Sequence, residues 1–240
     1  MTSRPILETR GLTKLYGGLA ANTDVDFQLP AGRITALIGP NGAGKSTFVG
    51  MVTGRIPATR GQVIFEGRDI SALPAHARIG LGMAYTFQIT SIFPGLDVRE
   101  NVALAARRKT DGAHLGAKVG AALARVGLAD RADAVAGDLS YGHQRLLEIA
   151  MGLAQDPKLF ILDEPTQGLA ESEVAGFVAL IRDLAGETTI LLIEHNMDVV
   201  MQAADHIVVL DQGMVLASGE PQAIRADRAV QAAYLGTADA

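Results

Sequence analysis

Cysteine is absent from this 240-residue chain, so disulfides, thiolate metal sites and a catalytic thiol are all excluded. Long apolar runs are missing too. Stretches such as residues 190–193 and 207–210 fall far short of the ~20 residues needed to cross a bilayer. The opening stretch MTSRPILETRGLTK lacks a long apolar core and a small-residue cleavage site, so no signal peptide is expected there. Positive charge is not in excess: 21 Lys and Arg stand against 26 Asp and Glu, a net charge of −5. That balance argues against a surface built to coat nucleic acid. No internal repeat or low-complexity linker is found; the small-residue stretch 112–124 reads as a helix. With 48% hydrophobic and 20% charged residues the chain is not generally disordered. It is long enough to bury a sizeable core. The expectation is a soluble cytosolic protein whose work at any membrane is done through a partner.

Short β-rich runs alternate with helical stretches, the pattern of an α/β domain with a largely parallel sheet. The runs predict strands at 6–9, 25–29, 34–38, 62–65, 82–86, 159–162, 189–193, 206–210 and 214–218. Those at 159–162, 190–193 and 207–210 do not alternate with polar residues, which suits the centre of a sheet covered on both faces. Turn signals at Pro30-Ala31-Gly32 and Glu66-Gly67-Arg68 suggest an antiparallel β subregion among the early strands. Between Gln88 and Asp156 the composition shifts to Ala, Leu and Arg, with helices expected over 98–108, 113–126 and 142–154. One domain spanning 1–240 is therefore expected. Its core and β subregion come from 1–87 and 157–240, and 88–156 forms a helical insertion.

The run Gly39-Pro40-Asn41-Gly42-Ala43-Gly44-Lys45-Ser46-Thr47 fits the P-loop spacing of Gly, four residues, then Gly-Lys-Ser. Glycines let such a loop turn its backbone N–H groups inward onto phosphate oxygens. A helix expected over 46–53 adds the positive end of its dipole. Lys45 can reach the β- and γ-phosphates, and the Ser46 hydroxyl can meet Mg²⁺. The apolar strand ahead of the loop is the context this motif requires.

The strand at 159–162 runs into two carboxylates, Asp163 and Glu164. At that place in P-loop proteins the Asp holds Mg²⁺, directly or through water. The chain leaves the strand at Glu164, so both carboxylates can face the cleft, and Glu164 can orient and deprotonate an attacking water. A second aliphatic strand ends in Glu194-His195. The C-terminal edge of an α/β sheet is where ligands bind, so His195 is a candidate to hydrogen-bond the γ-phosphate and hold the water.

Leu139-Ser140-Tyr141-Gly142-His143-Gln144 precedes Asp163 and opens a helix. Here the chain resembles the ATP-binding cassette (ABC) ATPases, whose signature reads Leu-Ser-Gly-Gly-Gln, and the likeness extends from about residue 6 to 236. The resemblance implies a P-loop ABC ATPase fold, with ATP and Mg²⁺ as ligands. It gives Tyr16 the role of stacking on adenine, and Gln88 that of sensing Mg²⁺ and the γ-phosphate. It gives Ser140 and Gly142 the role of binding the γ-phosphate of ATP held by the other cassette of a head-to-tail dimer. Two positions depart from the pattern. His143 replaces the signature Gln, and Ala170, in Gly168-Leu169-Ala170, replaces the usual Asp, removing a carboxylate that makes a contact across the dimer.

Leu139–Gly142, Glu148-Ile149-Ala150, Ile193-Glu194-His195-Asn196-Met197 and Ala233-Tyr234-Leu235-Gly236 are similar to the ATPase subunits of branched-chain amino acid importers and related amide and urea importers. That likeness implies a location on the cytoplasmic face of the membrane. It implies transmembrane permease subunits, an extracytoplasmic solute-binding protein and no nucleic acid. It also implies pairing with a second, different cassette rather than with an identical copy. The segment 89–96 would meet the membrane subunit. Two alternatives remain at this point: the ATPase of a lipid or lipopolysaccharide exporter, and a cytosolic ABC ATPase acting on ribosomes or DNA. The single P-loop, the acidic balance and the lack of long heptads count against the latter.

Overall fold

The unbroken apolar strands Leu159–Asp163 and Thr189–Ile193 are buried along their whole length because both faces of their sheet are covered. Phe160, Leu162, Ile190 and Leu192 turn into a cluster with the helical layer, while Leu159, Ile161, Leu191 and Ile193 turn into the cluster on the opposite face. This is the period-two alternation of a strand, with both sides apolar. Each fully buried Leu, Ile or Phe contributes about 1.5–3 kcal/mol.

The computed structural model describes residues 5–86, 91–110 and 112–235. In chain order the elements are β1 (Leu7–Tyr16), β2 (Leu19–Leu29), β3 (Ile34–Ile38), α1 (Lys45–Thr53), β4 (Arg60–Phe65), β5 (Arg68–Asp69), α2 (Ala75–Gly80), β6 (Met83–Tyr85), α3 (Val98–Ala106), α4 (Gly112–Arg125), α5 (Tyr141–Leu153), β7 (Leu159–Asp163), α6 (Glu171–Leu184), β8 (Thr189–Ile193), α7 (Met197–Ala203), β9 (His206–Asp211), β10 (Met214–Gly219), α8 (Pro221–Ala226) and α9 (Arg228–Leu235). Among them no helix is long and apolar enough to cross a membrane.

The fold is α/β, with two sheets among the described residues. One has six strands in the order β10-β9-β3-β8-β7-β6 and is parallel except for β10, which pairs antiparallel with β9. The other is antiparallel, in the order β2-β1-β4-β5. Helix α1 lies between them. Phe48, Val49, Met51 and Val52 pack with Leu7, Leu12, Val25 and Phe27 on one side and with Leu37, Val208 and Leu210 on the other. Helices α3, α4 and α5 fall between β6 and β7 in the chain and pack on the opposite face of the six-stranded sheet, with α6.

The early strands run further than the pattern predicts. β1 and β2 form one long hairpin closed at Gly17-Gly18, where the expectation was two short strands at 6–9 and 25–29. Register shifts between Thr9 and Leu15 break the alternation, so no clean period of two survives in the sequence. The turn at Glu66-Gly67, with φ of 49° and 78°, joins β4 to β5 as the turn signal suggests.

Candidate nucleotide site

The P-loop leaves β3 and enters α1, and two of its glycines are fixed by close approach as well as by conformation. Gly39 has φ 155°, and a Cβ there would lie 2.1 Å from the Leu210 carbonyl oxygen. Gly44 has φ 95°, and a Cβ there would lie 2.5 Å from the Ala21 carbonyl oxygen. As the N-cap of α1, Gly44 brings no side chain to the first free N–H groups, and the first turn contains no acid. Those donors are left to meet an anion from outside.

Lys45 is buried, and its Nζ donates to the carbonyl oxygens of Gly39 at 2.5 Å and Pro40 at 3.1 Å. Burial holds the ammonium below the usual lysine range, and the charges of Glu164 and Asp163 partly restore it. Both carboxylates therefore act on the P-loop lysine. A cleft of about 640 Å³ opens along residues 41–47, with Leu19, Ala20 and Ala21 of β2, Glu164, and Gln212 of the β9–β10 turn on its walls. That volume is in the range of small-molecule sites.

Asp163 ends β7, buried, and Tyr85 donates its hydroxyl proton to Oδ2 at 2.5 Å. Burial pushes the Asp163 carboxyl above the usual range, against the pull of that hydrogen bond, and the neighbouring Glu164 charge pushes the same way. Burial and Asp163 together keep the Tyr85 phenol protonated far above the ordinary tyrosine range. Glu164 has φ 46°, in the left-handed region that costs a non-glycine residue about 1–3 kcal/mol. Its backbone N–H donates to the Ile193 oxygen at 2.9 Å, which ties the strained turn to the end of β8. His195 follows at that same strand end, half-exposed, with Nδ1 3.6 Å from Glu164 Oε1. This is outside hydrogen-bond range but close enough for a charged pair.

A residue to which the sequence pattern gives no role of its own joins these loops. Glu194 is 0% exposed, and its Oε1 accepts from the Thr166 N–H at 3.1 Å and the Thr166 hydroxyl at 2.6 Å. Its Oε2 accepts from the backbone N–H groups of His195 at 3.2 Å and Asn196 at 3.4 Å. One buried carboxylate thus clamps the turn after Glu164 to the loop carrying His195. A carboxylate directly before the candidate His was the signal. Gln212 was missed as well, although Asp211-Gln212-Gly213 is a turn sequence between two apolar runs.

Tyr16 stands at the end of β1, 48% exposed, opposite Leu19 of the cleft wall, with Lys14 Nζ 4.9 Å from its ring centroid. Ser46 is exposed and Thr47 half-buried in the first turn of α1. Gln88 lies outside the described residues. Ser140 and Gly142 sit apart from this cleft, at the start of α5. Ser140 caps that helix, and a Cβ on Gly142 would meet Glu173 Oε1 at 2.5 Å. Ala170 is the exposed N-cap of α6 and makes no side-chain cap.

Within α5, Arg145 donates to Glu148 Oε2 at 2.7 Å, both side chains nearly inaccessible. Glu148 Oε1 accepts the Ser91 N–H at 2.5 Å, so the signature helix is tied to the chain that follows Gln88. Of the segment 89–96, residues 91–96 are described, and Phe93 is 53% exposed there.

The residues present suit a magnesium nucleotide. No cluster of three or more His, Cys, Asp or Glu that could hold a metal ion occurs among the described residues. A hydroxyl and one or two carboxylates beside a phosphate cradle match a small hard cation held mostly by phosphate oxygens and water.

Comparison with known proteins agrees with this geometry. The ABC transporter family matches residues 22–167, and the branched-chain amino acid ATP-binding cassette transporter family matches residues 214–240. The chain is 40% identical to the high-affinity branched-chain amino acid transport ATP-binding protein BraF of Pseudomonas aeruginosa, over 98% of this chain and 100% of that protein. It is 37% identical to the corresponding LivG of Escherichia coli, with the same coverage. Among solved structures, a nucleotide-free ATP-binding cassette from an ABC transporter superposes with a TM-score of 0.88 at 28% identity, covering 96% of this chain and 98% of that one. Another ABC transporter cassette, in its ADP conformation, gives 0.88 at 29% identity, covering 98% and 100%. The chain belongs to the ABC transporter family of ATP-binding cassettes, in its branched-chain amino acid branch.

Proposed function

We propose that this chain hydrolyses ATP to ADP and phosphate with Mg²⁺, and that it drives a membrane importer for branched-chain amino acids or similar small polar solutes. The observation that carries the reading is the convergence of an uncapped P-loop helix, a buried Lys45 and Glu164 on one cleft, with the Asp163 charge acting on the same lysine. The backbone N–H groups of 41–47 and the Lys45 ammonium take the β- and γ-phosphates, and Tyr16 stacks on the adenine. Ser46, Asp163 and Gln88 are the residues that would hold Mg²⁺, which supplies charge neutralisation at the phosphates. Glu164 accepts the proton of the attacking water. His195, beside it, hydrogen-bonds the γ-phosphate and keeps that water in line. The strained Glu164 turn and the Glu194 clamp hold these two side chains in register before the nucleotide arrives.

In this reading Ser140 and Gly142 face the ATP of a second cassette, a different chain rather than a copy. Relatives named as branched-chain amino acid transport ATP-binding proteins support the importer role. The chain then works at the cytoplasmic face of the membrane through permease subunits, which the 89–96 segment meets, and only indirectly with an extracytoplasmic solute-binding protein. The exposed Phe93 supports that contact.

The test is purification of the chain from native membranes in mild detergent, followed by ATPase assays on the complex and on its Glu164→Gln variant. Multi-span subunits and a second cassette should co-purify, and the variant should retain ATP while turning over at least about a hundredfold more slowly. Recovery of soluble partners alone would overturn the importer, and wild-type turnover by the variant would overturn the role of Glu164.

A further inference from the structure

The signature stretch departs from the family pattern at His143, and that imidazole has a defined partner. Its Nδ1 lies 2.8 Å from Ser140 Oγ, and its backbone N–H donates to the same oxygen at 3.4 Å. Ser140 is exposed at the mouth of α5. A serine oxygen carries one proton and two lone pairs, and the backbone N–H takes one lone pair. With hydrogen on Nδ1, the ring donates to the other lone pair, and the serine proton is released toward an anion outside. With Nδ1 bare, the serine must give its proton to the ring. The oxygen then turns a lone pair outward and repels a phosphate oxygen.

We infer that His143 is a positioning residue that aims the Ser140 hydroxyl proton at the phosphate of the partner cassette's ATP, and that it does so when Nδ1 carries hydrogen. This rests on the reading above that Ser140 faces that phosphate. His143 shares a cleft of about 370 Å³ with Arg125 of α4, Arg145 of α5 and Glu173 of α6. Arg125 is paired with Asp183 and Glu187, and Arg145 with Glu148, while the Glu173 carboxylate faces Gly142 and accepts the Ala170 N–H. Glu173 is thus the carboxylate among the residues lining that cleft with His143. An imidazolium differs from the neutral ring in its protons. It carries hydrogen on both ring nitrogens, whereas the neutral ring divides between two tautomers. Protonating the ring therefore raises the share of Ser140 hydroxyls that can donate. A glutamine at the same place would not titrate.

The test uses the transporter complex purified with its partner subunits. ATPase rates at subsaturating ATP are measured from pH 5.5 to 8 for the unaltered chain, His143→Gln, Ser140→Ala and the double variant. The rate ratio of unaltered chain to His143→Gln should rise at least about fivefold from pH 8 to pH 6, the net scale of one ordinary hydrogen bond. In the Ser140→Ala background the same ratio should stay within about twofold. A ratio that does not change with pH, or one that changes equally without Ser140, overturns the role of His143. A complex with no ATPase at any pH overturns the ATPase reading instead. A second measurement needs no turnover: the ¹⁵N shift of His143 Nδ1 in the isolated chain should move when Ser140 is replaced by Ala. An unmoved shift means the contact is not formed, and the inference falls.

Discussion

Replacing Glu194 with Gln keeps the side chain's shape and removes one of its two acceptor oxygens. The amide oxygen can serve Thr166, at 3.1 and 2.6 Å, or the His195 and Asn196 N–H groups, at 3.2 and 3.4 Å, but not both pairs. The shorter pair should keep the oxygen, leaving two backbone donors pointing at an amide –NH₂. Hydrogen bonds to a charged acceptor are worth about 1.5–3 kcal/mol each, and these two are long, so the loss comes to about 3 kcal/mol. For a chain of this size each kcal/mol moves the midpoint by about 2–4 °C, so thermal unfolding of the nucleotide-free chain should fall by about 6–12 °C. The freed loop carries His195. Turnover of the complex should therefore drop about 10- to 100-fold, the scale of a misplaced catalytic group, while the apparent affinity for ATP holds because the P-loop is untouched. Calorimetry on the chain and steady-state kinetics on the complex read the two effects separately. A midpoint within about 2 °C of wild type, together with unchanged kcat, would refute the clamp.

Asn22 is fully buried with neither polar end of its amide hydrogen-bonded, and it lies against Gly44 of the P-loop. Asn22→Leu, of similar shape, should stabilise the chain by about 1–2 kcal/mol and raise the midpoint by about 2–8 °C; a fall would refute the reading. Ala170→Asp should add the missing half of a reciprocal cap, since Glu173 already accepts the Ala170 N–H at 2.9 Å. A gain of about 1 kcal/mol, or about 2–4 °C, is expected in the same scan, and no gain would refute it.

Much of this site could be read from sequence because its parts are local. The P-loop spacing sets a loop and a helix start within nine consecutive residues, and the apolar run before Asp163 fixes a strand end. What escaped is what depends on distant contacts. Nothing in the pattern around Glu194 states that Thr166 will supply two of its partners, since these residues meet only when β7 and β8 pair. The β1–β2 hairpin was foreshortened because its bulges erase the alternation on which strand recognition depends. The bond from Ser91 to Glu148 likewise joins two stretches that the linear pattern treats as unrelated.

The β9–β10 turn has a consequence for how the chain acquires its nucleotide site. The Gly213 N–H donates to the Ala43 carbonyl oxygen at 3.1 Å, and the Gly213 oxygen accepts the Thr23 N–H at 2.9 Å. The ATP loop is thus buttressed by a segment made long after it. At ordinary synthesis rates of about 5–20 residues per second, roughly 8–33 s separate residue 47 from residue 213. Until then the loop lacks two of the bonds that hold it against β2. Contacts so far apart in the chain also form slowly in refolding. ATP, which favours whichever state binds it, should therefore stabilise the completed cassette and leave partial chains unprotected.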